Sequence, residues 1–110
     1  MSNTEYYTVK SVAQLADNML DFNNKFSPSL LRLLSELYLV EHHGLSVPDI
    51  MELLSCSDVS TYRLIHQLTD KKHKYKTSIH ICDFTEDKKL VLNSDGYRFV
   101  KDLIIAPFSS

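Results

Sequence analysis

Residues 57–72, SDVSTYRLIHQLTDKK, decide how this chain is read. Thr61, Leu64, Ile65 and Leu68 recur at three- and four-residue spacing, which gathers them on one face of a helix. Ser60, Arg63, Gln67 and Lys71 then point the other way. Ser57 or Asp58 stands where a cap is wanted, because each offers a side-chain oxygen to the unpaired N–H groups of a first helical turn. The stretch predicts a capped helix with an apolar stripe inside and a polar, partly basic face outside.

The neighbours on the N-terminal side follow the same logic. A short helix opens at Ser46, carries Pro48 in its first turn and turns Ile50, Leu53 and Leu54 inward. Gly44 separates it, as a left-handed cap, from a longer helix over residues 30 to about 42. That helix is apolar nearly all round through Leu30, Leu31, Leu33, Leu34, Leu37, Tyr38 and Val40, which predicts the central core helix. Ser27 caps it, with Pro28 in the first turn. Ahead of these lies an amphipathic helix over residues 8–26, with Val12, Leu15, Ala16, Met19, Phe22 and Phe26 on one face.

On the C-terminal side the period shifts from helical to alternating. Ile79 and Ile81 alternate with Ser78, His80 and Cys82, and a second short strand over 89–92 follows the polar turn Thr85-Glu86-Asp87-Lys88. A charged hairpin over 77–92 is expected. Ser94 or Asp95 then caps a last helix over 94–105, with Phe99, Val100, Leu103 and Ile104 on one side and Pro107 to stop it.

Composition bounds the classes. The 110 residues suit one domain with a modest core, and 2 Gly and 3 Pro favour helices over many tight hairpins. Cys56 and Cys82 form no CxxC pair and no His/Cys cluster at metal-ligand spacing, which fits a reduced, cytoplasmic setting with neither metal nor cofactor. No apolar run reaches the length of a membrane span, so no membrane partner is expected. Net charge is -2, yet the cations are unevenly placed: Lys10, Lys25 and Arg32 alone balance seven acids before residue 56, and nine of the 12 Lys and Arg follow it.

The chain resembles the MarR/SarA-like regulators over roughly residues 30–104. The run Ser60-Thr61-Tyr62-Arg63-Leu64-Ile65-His66-Gln67-Leu68, followed by Asp70-Lys71-Lys72, is similar to their recognition helix. Leu92-Asn93-Ser94-Asp95-Gly96 is similar to the LTxxG signature after their wing, with Asn93 in the Thr position. His73 stands where a Gly is usual, and Asp87-Lys88-Lys89 is the nearest match to the wing's Asp-x-Arg. The resemblance implies a mainly α (α+β) winged helix-turn-helix fold, with a two-stranded β-hairpin wing between flanking N- and C-terminal helices. It implies double-stranded DNA as partner and transcription regulation rather than catalysis.

The residue chemistry agrees with that implication. An exposed helix can lie in the major groove while cations beside it meet phosphates. Arg63 suits a guanine, Gln67 an adenine, and Ser60 or Tyr62 a base or phosphate. Lys71, Lys72, Lys74 and Lys76 follow, with Lys88 and Lys89 at the hairpin tip. Two alternatives stand beside this reading: the lysines as a solvated loop, and Arg63 in a structural ion pair. Cys56, just before the decisive helix, is read either as a redox-sensitive thiol or as a small buried hydrophobe. His42-His43 suit a helix C-terminus better than a metal. No catalytic constellation or phosphate loop is present.

The N-terminal helix offers more apolar surface than a small core needs, which predicts a homodimer through Val12, Leu15, Met19 and Phe22 with Ile104 and Phe108. The competing function is a winged-helix module that binds another regulator or polymerase and no DNA, suggested by the acidic N-terminal half.

Overall fold

Capping chemistry sets most element boundaries in this chain, as a computed structural model describing residues 1–22, 26–70 and 79–109 shows. Helix α1, Asn3–Phe22, begins where the Ser2 hydroxyl accepts the Glu5 N–H at 3.1 Å. It starts earlier than the expected 8–26, because the Ser2 cap rather than the apolar period sets its first turn. Phe26 lies outside it and packs against the core. Helix α2, Pro28–Val40, is capped by Ser27, whose hydroxyl accepts from the Leu30 N–H at 3.1 Å, with proline in the first turn.

Helix α2 buries one face, not its whole circumference. Leu30, Leu33, Leu34 and Leu37 form the centre of the core, whereas Leu39 is exposed and Arg32 pairs with Glu36 at 2.7 Å on the outer side. A 3-10 turn, Glu41–His43, follows, and Gly44 then takes φ +65. A side chain at Gly44 would be strained by that angle, and its Cβ would lie 2.7 Å from the Leu90 carbonyl oxygen. Glycine thereby lets Leu45 exchange hydrogen bonds with Leu90, at 3.0 and 2.7 Å.

Helix α3, Val47–Leu54, opens with a reciprocal capping box: the Asp49 N–H donates to Ser46 Oγ, and the Ser46 N–H to Asp49 Oδ2. The Ser46 hydroxyl, then its N–H, hold the Asp49 carboxyl below the usual carboxylate range against slight desolvation, and nearby Lys89 adds a weaker push. Helix α4, Asp58–Thr69, is capped by Ser57, and Asp70 ends it in an extended conformation. The expected helix to residue 72 therefore stops early; Lys71 and Lys72 lie outside the described residues.

Strands β1, Cys82–Phe84, and β2, Leu90–Leu92, pair antiparallel with Cys82 opposite Leu92 and Phe84 opposite Leu90. This hairpin is shorter than the expected 77–92. Ile79 and Ile81 instead donate their N–H groups to the last carbonyls of α4, Gln67 O at 2.7 Å and Leu68 O at 3.0 Å. That detour breaks the alternation. Ile81 and Cys82 are both buried, where Cys82 was expected on the polar face.

Helix α5, Ser94–Val100, is capped by Asn93 rather than by Ser94 or Asp95: Asn93 Oδ1 accepts the Gly96 N–H at 2.8 Å. A π-helical turn, Lys101–Ile105, and a 3-10 turn, Ala106–Phe108, continue it past Pro107. Against these C-terminal turns packs α1, tied by a hydrogen bond from Asn18 Nδ2 to the Leu103 carbonyl at 3.2 Å. The described chain is mainly helical with one two-stranded antiparallel sheet. No described helix is long and apolar enough to cross a membrane.

Candidate nucleic-acid interface

Helix α4 is oriented by its buried side. Thr61, Ile65 and Leu68 are fully enclosed, and Leu64 packs partly against the same core. The Thr61 hydroxyl, the buried polar group of this face, donates to the Ser57 carbonyl at 2.8 Å and lies 3.1 Å from Cys56 Sγ. With that face fixed, Ser60, Tyr62, Arg63 and His66 lie exposed on the opposite side. Ser60 also sits within the cap, its hydroxyl accepting from the Ser57 hydroxyl at 3.2 Å. Gln67 is half-buried at the edge of the exposed face.

The ion pairs among the described residues are Arg32 with Glu36 and His80 with Asp83, and Arg63 takes part in neither. Val59 and His66 share its face one turn away on either side. The sequence reading passed over both, although positions 59, 62, 63 and 66 have the helical spacing that would have found them.

At the hairpin tip the Lys88 N–H donates to the Thr85 carbonyl and the Thr85 N–H to the Lys89 carbonyl, each at 2.9 Å, which throws Lys88 into a left-handed conformation at φ +61. Lys88 is exposed, whereas Lys89 is half-buried and close enough to Asp49 to lower its pKa. The two lysines therefore do not share one environment, and Glu86 and Asp87 give the tip a mixed sign. Lys71, Lys72, Lys74 and Lys76 lie outside the described residues.

Behind the hairpin, Asn93 joins three elements. Its amide donates to Asp83 Oδ2 at 3.3 Å and to the His80 carbonyl at 3.4 Å, while His80 Nε2 lies 2.7 Å from Asp83 Oδ1. This network fixes how β1 meets α5. The rings of His42 and His43 lie 4.3 Å apart on the exposed 3-10 turn. Among the described residues no three His, Cys, Asp or Glu side chains gather as a metal site.

Of the expected dimer residues, Val12 and Phe108 are exposed. Leu15 and Met19 are half-buried toward the chain's own C-terminal turns, and Ile104 packs against the core. The Phe22 side chain lies outside what is described.

The two thiols differ sharply. Burial pushes the Cys82 thiol far above the ordinary cysteine range, with Asp83 adding to the effect, so it stays protonated. Cys56 is half-buried. A maleimide is expected to label one thiol per native chain, at Cys56, and two in denaturant, read by intact mass. Rapid native labelling of Cys82 would contradict its enclosure.

In comparisons with family models, with curated proteins and with solved structures, nothing matches this chain.

Proposed function

We propose that the chain is a winged helix-turn-helix protein that binds duplex DNA through the outer face of α4 and regulates transcription as a homodimer. One observation carries the reading: the buried stripe of α4 leaves Tyr62, Arg63 and His66 on a single exposed face, with Arg63 in no ion pair among the described residues. An unpaired guanidinium on an exposed helix is suited to bidentate contact with a guanine edge. The element order of core helix, short helix, capped helix, hairpin and helix, with Leu45 bridging to β2, supports the same arrangement. The mixed charge at the hairpin tip makes α4 and the lysines that follow it the main contact, with Lys88 as a lesser one.

Selection of bound sequences from a random duplex pool tests the reading, and an empty selection would overturn it. Once a site is in hand, Arg63→Ala is expected to weaken specific binding by about 1–3 kcal/mol and relax preference at one base position. Its melting temperature should stay within a degree or two of the parent, since an exposed side chain in no ion pair among the described residues contributes little to folding. A large fall in stability would instead make the arginine structural.

A second reading, a winged-helix module that grips another protein, draws on Val59 and Tyr62, which expose apolar surface on the same face of α4. Salt separates the two. Phosphate neutralisation makes affinity for random duplex DNA fall steeply as salt rises, whereas an apolar protein contact is nearly indifferent to it.

A further inference from the structure

Helix α1 carries two different faces. The half-buried residues Ser11, Leu15, Asn18 and Met19 turn toward the C-terminal turns, and Asn18 bonds to Leu103 there. At about 100° per residue, Val9, Ala13, Ala16 and Leu20 fall on a stripe roughly opposite, with Val12 beside it. All five are exposed; Val9 is 63% and Leu20 61% accessible. Of the face that the sequence suggests for association, Leu15 and Met19 are thus half-buried within the protomer while Val12 is exposed, and a second apolar stripe is left without a partner among the described residues.

We infer that this outer stripe is where two copies of the chain meet, α1 against α1 in antiparallel register, with Ala13 and Ala16 at the crossing. The inference rests on the homodimer proposed above and specifies its surface. Two small residues one turn apart let helix backbones approach closely, and the bulkier Val9 and Leu20 flank them on either side. An antiparallel register that sets Ala13 against Ala16 of the second copy also sets Val9 against Leu20. The stripe is complementary to itself.

Charge selects the direction. Helix α1 holds a single cation, Lys10, against Glu5, Asp17 and Asp21. Lys10 and Asp17 lie on the same flank of the stripe. A two-fold axis across antiparallel helices brings like flanks together, so Lys10 of each copy meets Asp17 of the other, in two symmetric pairs. A parallel pair sets each flank against the opposite one and leaves Asp17 without a cation. Within one helix the two residues are seven apart, too far along the axis to pair with each other.

The test is mass in solution without DNA, by light scattering or analytical ultracentrifugation over a concentration series. The parent chain is expected near twice 12.7 kDa at micromolar concentration. Ala16→Glu should give a monomer with unchanged circular dichroism, because Ala16 is exposed within the protomer. Lys10→Glu and Asp17→Lys should each weaken the dimer several-fold, and the double reversal should restore it, since it rebuilds both pairs with the signs exchanged. A monomeric parent overturns the homodimer and this surface together. A dimeric parent that ignores Ala16→Glu overturns the surface alone, and disruption by Ala16→Glu without rescue by the double reversal overturns the antiparallel register. DNA binding enters none of these measurements, so its failure would be seen separately.

Discussion

Gly96→Ala is expected to lower the stability of this chain by about 3 kcal/mol, the upper end of what an inserted methyl group costs in a packed site. The reason is what the new Cβ would meet. It would lie 2.1 Å from the Ile81 carbonyl oxygen, 3.2 Å from the Ile81 carbonyl carbon and 3.0 Å from a Leu92 methyl. The first two are backbone atoms, and that same carbonyl accepts the Asn93 N–H at 3.0 Å, so it cannot swing aside without giving up the bond that seats the start of α5. The Gly96 N–H is itself held by the Asn93 cap. For a domain of this size about 3 kcal/mol corresponds to a fall of more than 10 °C in melting temperature. Ser94→Ala, two residues before it and exposed, serves as the control and should melt close to the parent. A Gly96→Ala chain that melts with the parent would show that α5 does not approach β1 as closely as described.

That glycine illustrates which parts of the chain were legible in the sequence. Its place in a family-like signature could be read directly, but its physical reason, the carbonyl of a residue 15 positions earlier, exists only in space. Local chemistry was readable for the same reason that it is local. Ser27 before Pro28, Ser46 before Pro48, and Ser57 before the decisive helix all cap where the sequence places them, because a cap involves only the next three residues.

Tertiary competition is what escaped. The segment before β1 lends its N–H groups to the end of α4, which shortens the strand, breaks its alternation and buries Cys82. Helix α1 has apolar residues around most of its circumference, so periodicity could find a helix but could not say which stripe the C-terminal turns would take. The outer face of α4 was legible because the inner face is unambiguous. Val59 and His66 are legible only from the exposed spacing itself, because neither belongs to the residue types that pair most readily with base edges.

Helix α2 provides the second large effect, and it discriminates between neighbouring leucines. Leu37 is fully buried, whereas Leu39, two residues on, is 72% exposed. The buried side of α2 packs against α3, β2 and α5 at once, so truncating Leu37 to alanine leaves a cavity that no single element can move to fill. Leu37→Ala is therefore expected to cost about 2–5 kcal/mol, from lost transfer energy together with the cavity term. Set against the roughly 5–15 kcal/mol that holds small domains folded, such a loss removes a large part of the whole. Leu39→Ala should fall within about 0.5 kcal/mol of the parent, or rise slightly in solubility, because its side chain already meets water. Urea unfolding of the pair measures the orientation of α2 directly: a shifted midpoint with an unchanged slope for Leu37→Ala, and no shift for Leu39→Ala. Equal costs at the two positions would mean that the helix is turned otherwise, and the inward stripe of α4 that depends on this core would have to be reassigned with it. Because the exposed face of α4 is defined by that inward stripe, the same pair of leucines tests the footing of the proposal that Arg63 contacts DNA.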